Sequence, residues 1–140
     1  MRVQMELARI LIQELNSAQL IELREVNTEQ DHARSFPILI GIAEAIAIDR
    51  RLSGIDIGRP MTHDLLADTI KSLGATLDSI TITTIIEGTF YAQLNLTDVT
   101  GQPIEIDARP SDAIALGVTN DVPIFVDESV IDSATPSLDD

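Results

Sequence analysis

The stretch from Ser79 to Ala108 leaves the fold the least freedom. Ser79–Ile86 alternates and is rich in Ile and Thr, and Thr89–Leu96 returns with Phe90, Ala92, Leu94 and Leu96 on one side. Successive side chains of an extended chain point to opposite faces, so a period of two is the mark of a half-buried strand. Glu87-Gly88 between the two segments is a hairpin turn signal. A further turn over Asp98–Gln102, containing Gly101, leads into Pro103–Ala108, where Ile104 and Ile106 face one way and Glu105 and Asp107 the other. An antiparallel meander is the expected centre of the fold.

The N-terminal part predicts a hairpin. Val3, Met5 and Leu7 alternate within Val3–Ile12, and Leu20–Val26 alternates again beyond an Asn16-Ser17 turn signal. Asn27–Ser35 is polar and reads as an exposed loop. Phe36–Ile40 is a short apolar strand, and Pro37, which cannot donate to a ladder, places it at a sheet edge or at a strand's first residue.

Helices are predicted after it. Ile42–Ile48 is apolar nearly all round apart from Glu44, which predicts burial on most sides, with Arg50 and Arg51 at the negative end of the dipole and Gly54 as stop. Thr62 would cap a second helix, with Asp64 in its first turn, an apolar stripe of Leu65, Leu66, Ile70 and Leu73, and Gly74 as stop. Ser111 would cap a third, running through Leu116 to Gly117. Pro123–Val126 reads as a short strand, and Ser129 would cap a last turn through Ser133. The class expected is therefore α+β: a mixed, largely antiparallel sheet packed with about three helices. Residues 1–134 are expected to form a single domain, and the acidic 135–140 a disordered tail.

Composition sets the core and the setting. Hydrophobic residues make up 44% of the chain and aromatics 3%, so the core must be aliphatic and offers few rings for stacking on bases. There is no cysteine, which excludes disulfides, thiol catalysis and cysteine-bound zinc. No apolar run approaches the roughly 20 residues of a membrane span, and the start lacks a signal peptide's apolar region, so a cytoplasmic protein is expected. Asp and Glu number 23 against 9 Lys and Arg, for a net charge of -14. Such a surface disfavours broad non-specific nucleic-acid binding, which draws on cationic contacts, and favours cations.

The chemistry-bearing residues cluster where proline meets arginine. Arg59-Pro60 and Arg109-Pro110 are each followed by a hydroxyl residue, Thr62 or Ser111, and then by Asp64 or Asp112. One reading of Arg109-Pro110-Ser111-Asp112 is a capped helix with an Asp107–Arg109 ion pair across the turn. The other is a phosphate site made of a helix N-terminus, Ser111 and a guanidinium. His63 reads either as a surface histidine or as a general base or metal ligand beside Asp64. Glu44 reads as part of a solvent-facing stripe with Arg51, as the partner of Arg59 or Arg109, or as a catalytic carboxylate. P-loop, dinucleotide-binding, nucleophile-elbow, zinc-helix and EF-hand signatures are absent.

Several of these strings resemble one family. Glu87-Gly88-Thr89-Phe90-Tyr91-Ala92, followed by Ile106-Asp107-Ala108-Arg109-Pro110-Ser111-Asp112-Ala113-Ile114-Ala115-Leu116, resembles the bifunctional nuclease domain family. So do Gly41-x-x-Glu44-Ala45 and Arg59-Pro60-x-Thr62-His63-Asp64-Leu65, in the same order, with the resemblance running roughly from Val3 to Ser133. It implies a compact α+β domain that self-associates and cleaves both RNA and DNA. On that expectation Glu44, His63, Asp64, Asp107 and Asp112 are the candidate catalytic residues. Asp64, Asp107 and Asp112 would bind Mg²⁺ or Mn²⁺, and Arg59, Arg109 and Ser111 would bind phosphate. RNA or DNA, short or metal-bridged, and further copies of the chain are the expected partners. The alternative is a non-catalytic oligomeric binding module whose charged motifs are ion pairs and caps.

Overall fold

The computed structural model describes residues 1–13, 19–26, 29, 32–54 and 58–134. The expected Asn16-Ser17 turn, part of the loop expected over 27–35 and the tail 135–140 lie outside the described residues. The chain runs β1 (Arg2–Leu11), β2 (Gln19–Glu25), β3 (Ser35–Ile40), α1 (Ile42–Ser53) and α2 (Thr62–Ser72). It continues through β4 (Thr76–Ile86), β5 (Thr89–Thr97), β6 (Pro103–Ala108), α3 (Pro110–Gly117), a 3-10 turn at Val118–Asn120, β7 (Ile124–Asp127) and α4 (Glu128–Ala134).

The strands of the described residues all join one seven-stranded sheet in the order β3-β2-β1-β7-β4-β5-β6. The N-terminal hairpin and the central meander are both present and antiparallel. At the β4–β5 turn, Glu87 and Gly88 have φ of 51° and 81°, the pair of left-handed residues that twists a two-residue hairpin correctly. β3 lies at the sheet edge, where Pro37 is tolerated. The short strand expected at Pro123–Val126 is β7. It lies between the two halves, antiparallel to β1 and parallel to β4.

α3 is the helix around which the rest packs. Every residue in it except Asp112 is buried. Ala113 and Leu116 join Ile80, Leu94 and Leu96 in one apolar cluster. Ile114 and Ala115 join a larger one with Ala45, Ile48, Ile82 and Val126. Gly117 allows this closeness, since a Cβ there would stand 2.8 Å from Ile80 Cδ1.

Five local expectations need correction. Pro110 takes the first helical position, so Arg109 and not Ser111 is the N-cap of α3, as the fixed φ of proline favours. Thr62 is already helical, and the Met61 N–H is satisfied by the Asp64 carboxylate at 3.0 Å. Asp127, not Ser129, caps α4, accepting from the Ser129 N–H at 3.0 Å and its hydroxyl at 2.8 Å. α1 is buried only at Ala45 and Ile48, because one face meets α3 and the sheet while Ile42, Ile46 and Leu52 look outward. α2 has no buried residue, so its predicted stripe is exposed at Leu65, Leu66 and Leu73.

Candidate functional site

A cavity of about 680 Å³ lies between α1, α2, β6 and α3. Glu44 of α1, His63 of α2, Asp107 of β6, and Arg109 and Asp112 at the start of α3 all line it, with Arg50 at the end of α1. Ile46, Leu66, Ile70 and Ile106 supply much of its apolar wall. The arrangement follows from the buried helix. Because α3 is buried on every side but that of Asp112, this residue is the one place where α3 offers a charge to the cavity.

Asp112 links two partners. His63 Nε2 is 3.0 Å from its Oδ1, and Arg109 Nε donates to its Oδ2 at 2.9 Å. Arg109 Nη2 reaches Glu44 Oε1 at 3.0 Å. The sequence reading that paired Glu44 with Arg109 is therefore the one the geometry supports. Gly41, the N-cap of α1, makes room for it, since a Cβ there would lie 2.4 Å from Glu44 Oε2. The ion pair expected between Asp107 and Arg109 is replaced by these contacts. An N-cap in extended backbone sends the Arg109 side chain over the first turn to the residue three positions on.

Burial pushes the Asp112 carboxyl up, but the hydrogen bonds and charges of Arg109 and His63 outweigh it, leaving the group below its ordinary value. Asp112 is thus a carboxylate near neutral pH, able to accept from the histidine. The ionised Asp112 and Glu44 in turn hold Arg109 more firmly protonated than usual.

Asp64 takes a different role from its neighbour His63. It accepts from Arg50 Nη2 at 2.7 Å and from Arg51, and does not line the cavity. Arg51 also donates to the Leu116 carbonyl at 3.1 Å, so it joins the starts and ends of three helices, and only 6% of its side chain is exposed. This also removes Arg51 from the solvent-facing stripe suggested for it with Glu44. Asp64 is thereby drawn away from Asp107 and Asp112. Among the described residues no group of three or more His, Asp or Glu side chains is placed to hold a metal ion. The trio expected to bind Mg²⁺ or Mn²⁺ does not assemble. Arg59 is exposed outside the cavity, and Ser111 is buried on the wall of a second one.

Sequence reasoning missed Arg50, which looked like an ordinary cation at a helix C-terminus. It also missed the apolar wall, because Ile46, Leu66 and Ile106 carry no signal beyond core periodicity.

The chain matches the bifunctional nuclease domain over residues 25–139. An uncharacterised protein of Mycobacterium tuberculosis is 38% identical over 125 residues, covering 89% of this chain and 71% of that protein. Bifunctional nuclease 2 of Arabidopsis thaliana is 27% identical over 94 residues, covering 66% of this chain and 29% of its own length. Bifunctional nuclease 1 of Oryza sativa subsp. japonica is 26% identical over 96 residues, covering 67% and 29%. Among the described residues no helix is long and apolar enough to cross a membrane.

Proposed function

The chain belongs to the bifunctional nuclease domain family, and on that premise we propose that it hydrolyses phosphodiester bonds of RNA and DNA in the cavity holding His63 and Asp112. The observation that carries this reading is the meeting of Glu44, His63, Asp107, Arg109 and Asp112 around one opening, from four separate elements. A catalytic site needs such convergence, whereas capping and ion pairing alone do not.

The steps use the chain's own groups, and none is routed through a metal. With His63 neutral and its Nε2–H donated to Asp112, the lone pair sits on Nδ1. Nδ1 takes a proton from water as the water oxygen attacks phosphorus. The P–O ester bond breaks, and the leaving oxygen recovers a proton from the imidazolium. Asp112 stabilises that cation and fixes the ring. Arg109, 66% exposed, turns its free donors to the phosphoryl oxygens. The acidic surface slows approach of long polyanions, but charges beyond about 8 Å are largely screened at physiological salt. Short RNA and DNA, which bring few phosphates within that distance of the acidic surface, are therefore the preferred substrates.

Self-association belongs to the same reading. Met61, Leu65, Leu66 and Leu73 of the α2 region and Ile42, Ile46 and Leu52 of α1 are exposed together with Ile104 and Ile106 of the edge strand β6. So much uncovered aliphatic surface suits a second copy of the chain. Sedimentation giving a monomer across the micromolar range would remove this part. A chain without cysteine is compatible with a reducing compartment, and we place it in the cytoplasm.

The decisive assay compares wild type with His63→Ala on short single-stranded RNA and DNA, with Mn²⁺ and with chelator in parallel arms. Wild type cleaves both substrates, and the variant is slower by about 100-fold or more. Equal cleavage by the two proteins would assign the activity to a contaminant and end the proposal. The metal arms read whether an ion is required.

A further inference from the structure

A second cavity, of about 660 Å³, shares Arg109 with the first. The end of β3 from Pro37 to Ile40, with Gly41 after it, forms one wall, the β5 start with Thr89 and Phe90 another, and Pro110 and Ser111 at the base of α3 a third. The chain carries a net charge of -14, yet among the described residues Arg109 is the single charged group lining this space. Its volume falls within the roughly 300–1,000 Å³ usual for small-molecule sites.

Ser111 distinguishes the site from an ordinary helix start. It is 6% exposed and lines the cavity, and its hydroxyl has no hydrogen-bond partner among the described residues. The residue is buried while its hydroxyl stays reachable from the cavity, so a ligand there can supply the acceptor or donor that the protein does not. The backbone beside it is in the same state. Pro110 has no N–H, and the Ala113 N–H is already bound to the Arg109 carbonyl at 3.0 Å. The N–H groups of Ser111 and Asp112 therefore remain without acceptors within the helix. The Asp112 carboxylate is turned to His63 and Arg109 in the first cavity. The wall opposite is apolar: Pro37, Ile40 and Phe90, the last packed on Phe36 with ring centroids 5.6 Å apart.

We propose that this second cavity is a nucleotide subsite. A phosphoryl group accepts from the Ser111 N–H and hydroxyl, with Arg109 at its edge and the Asp112 N–H next in the helix start. Sugar and base lie against Phe90, Pro37 and Ile40. The assignment rests on the nuclease reading and extends it. The subsite holds the nucleotide next to the scissile bond, and Arg109 stands between the two phosphoryl positions.

The test is an amide-resolved NMR titration of the full chain with cytidine 5′-monophosphate, cytidine and inorganic phosphate. The monophosphate gives saturable shifts at Ser111, Asp112 and Thr89, phosphate gives weaker shifts at Ser111 and Asp112, and cytidine gives none at these two. Ser111→Ala weakens monophosphate binding by about tenfold. Its melting temperature stays at or above that of wild type, because the hydroxyl has no internal partner to lose. His63→Ala keeps the binding. Absence of shifts at Ser111 and Asp112, unchanged affinity in Ser111→Ala, or a lowered melting temperature in that variant would each overturn the subsite. Monophosphate binding at α3 without strand cleavage would leave the subsite standing and remove the nuclease reading. Cleavage without that binding would do the reverse.

Discussion

His63 Nε2 stands 3.0 Å from Asp112 Oδ1, joining the first turn of α2 to the first turn of α3 across the cavity mouth. If this contact orients a base, Asp112→Asn disturbs both the tautomer and the imidazolium while keeping the side chain's volume. Cleavage by Asp112→Asn falls by about 100-fold or more. Its stability changes by only about 1 kcal/mol, the scale of a partly exposed pair at a helix start. Single-turnover cleavage and thermal melting of the same preparation check the two halves. A loss of melting temperature that accounts for all the lost activity would contradict the orienting role.

Gly41→Ala tests the Glu44–Arg109 pair without touching either partner. The new Cβ would fall 2.4 Å from Glu44 Oε2, and the carboxylate is the movable end of a flexible side chain. Gly41 has a φ of -78°, so alanine meets no backbone strain. The expected result is a stability change under about 1 kcal/mol with a several-fold loss of cleavage as Arg109 loses its second anchor. Cleavage at the wild-type rate would show that the position of Glu44 is indifferent to the reaction.

Asp64→Asn separates structure from chemistry at the neighbouring residue. The substitution leaves Arg51, nearly buried, without its anionic partner, and weakens the hold on Arg50 and on the Met61 N–H. Partial exposure reduces the cost from that of a fully buried pair, and about 2 kcal/mol is expected. Denaturant titration reads it, and activity per folded molecule stays within a few-fold of wild type. A variant of unchanged stability would mean that the arginine pair does not secure the helix ends.

Acid titration should lower stability in a defined window. Burial raises the Asp64 carboxyl, and the Met61 N–H with Arg50 and Arg51 more than reverses this; Asp112 is lowered in the same manner by Arg109 and His63. The Glu25 carboxyl is lowered chiefly by its hydrogen bond from Arg34. A carboxyl with a depressed folded pKa contributes stability that is fully present above its unfolded value, about 4, and lost as pH falls through the folded one. The melting temperature is therefore flat above about pH 5 and declines below about pH 4. Asp64→Asn shows a shallower decline than wild type. Identical acid slopes for the two proteins would contradict the assignment.

The strands were legible because their signals are local. Period-two alternation, the Glu87-Gly88 turn and Pro37 at an edge each act within a few residues. The meeting of Glu44 with Arg109 was one of several alternatives, and that of His63 with Asp112 was not among the readings, since both depend on how α1 and α2 lie on α3. The partners of Asp64 were not legible for a related reason. Its position beside His63 suggested a shared task, but adjacent helical residues point about 100° apart, and Asp64 turns to the end of α1. The caps at Thr62 and Ser111 were misplaced because a hydroxyl residue is a weaker guide than proline at the first helical position or a carboxylate reaching back. The outward faces of α1 and α2 were not legible, since an apolar stripe looks the same whether or not the same chain covers it.

The place of β7 has a consequence for the order of events on the ribosome. The strand joins β1 to β4 only after residues up to Asp127 have been made. Until then the nascent chain holds two sheet fragments, each with an open strand edge along β1 or β4, and such edges readily recruit other chains. Release of the last strand from the exit tunnel closes both edges in one act. Translation stalled shortly before Ile124 would leave the cell with a sticky product, while a pause early in the message would be harmless.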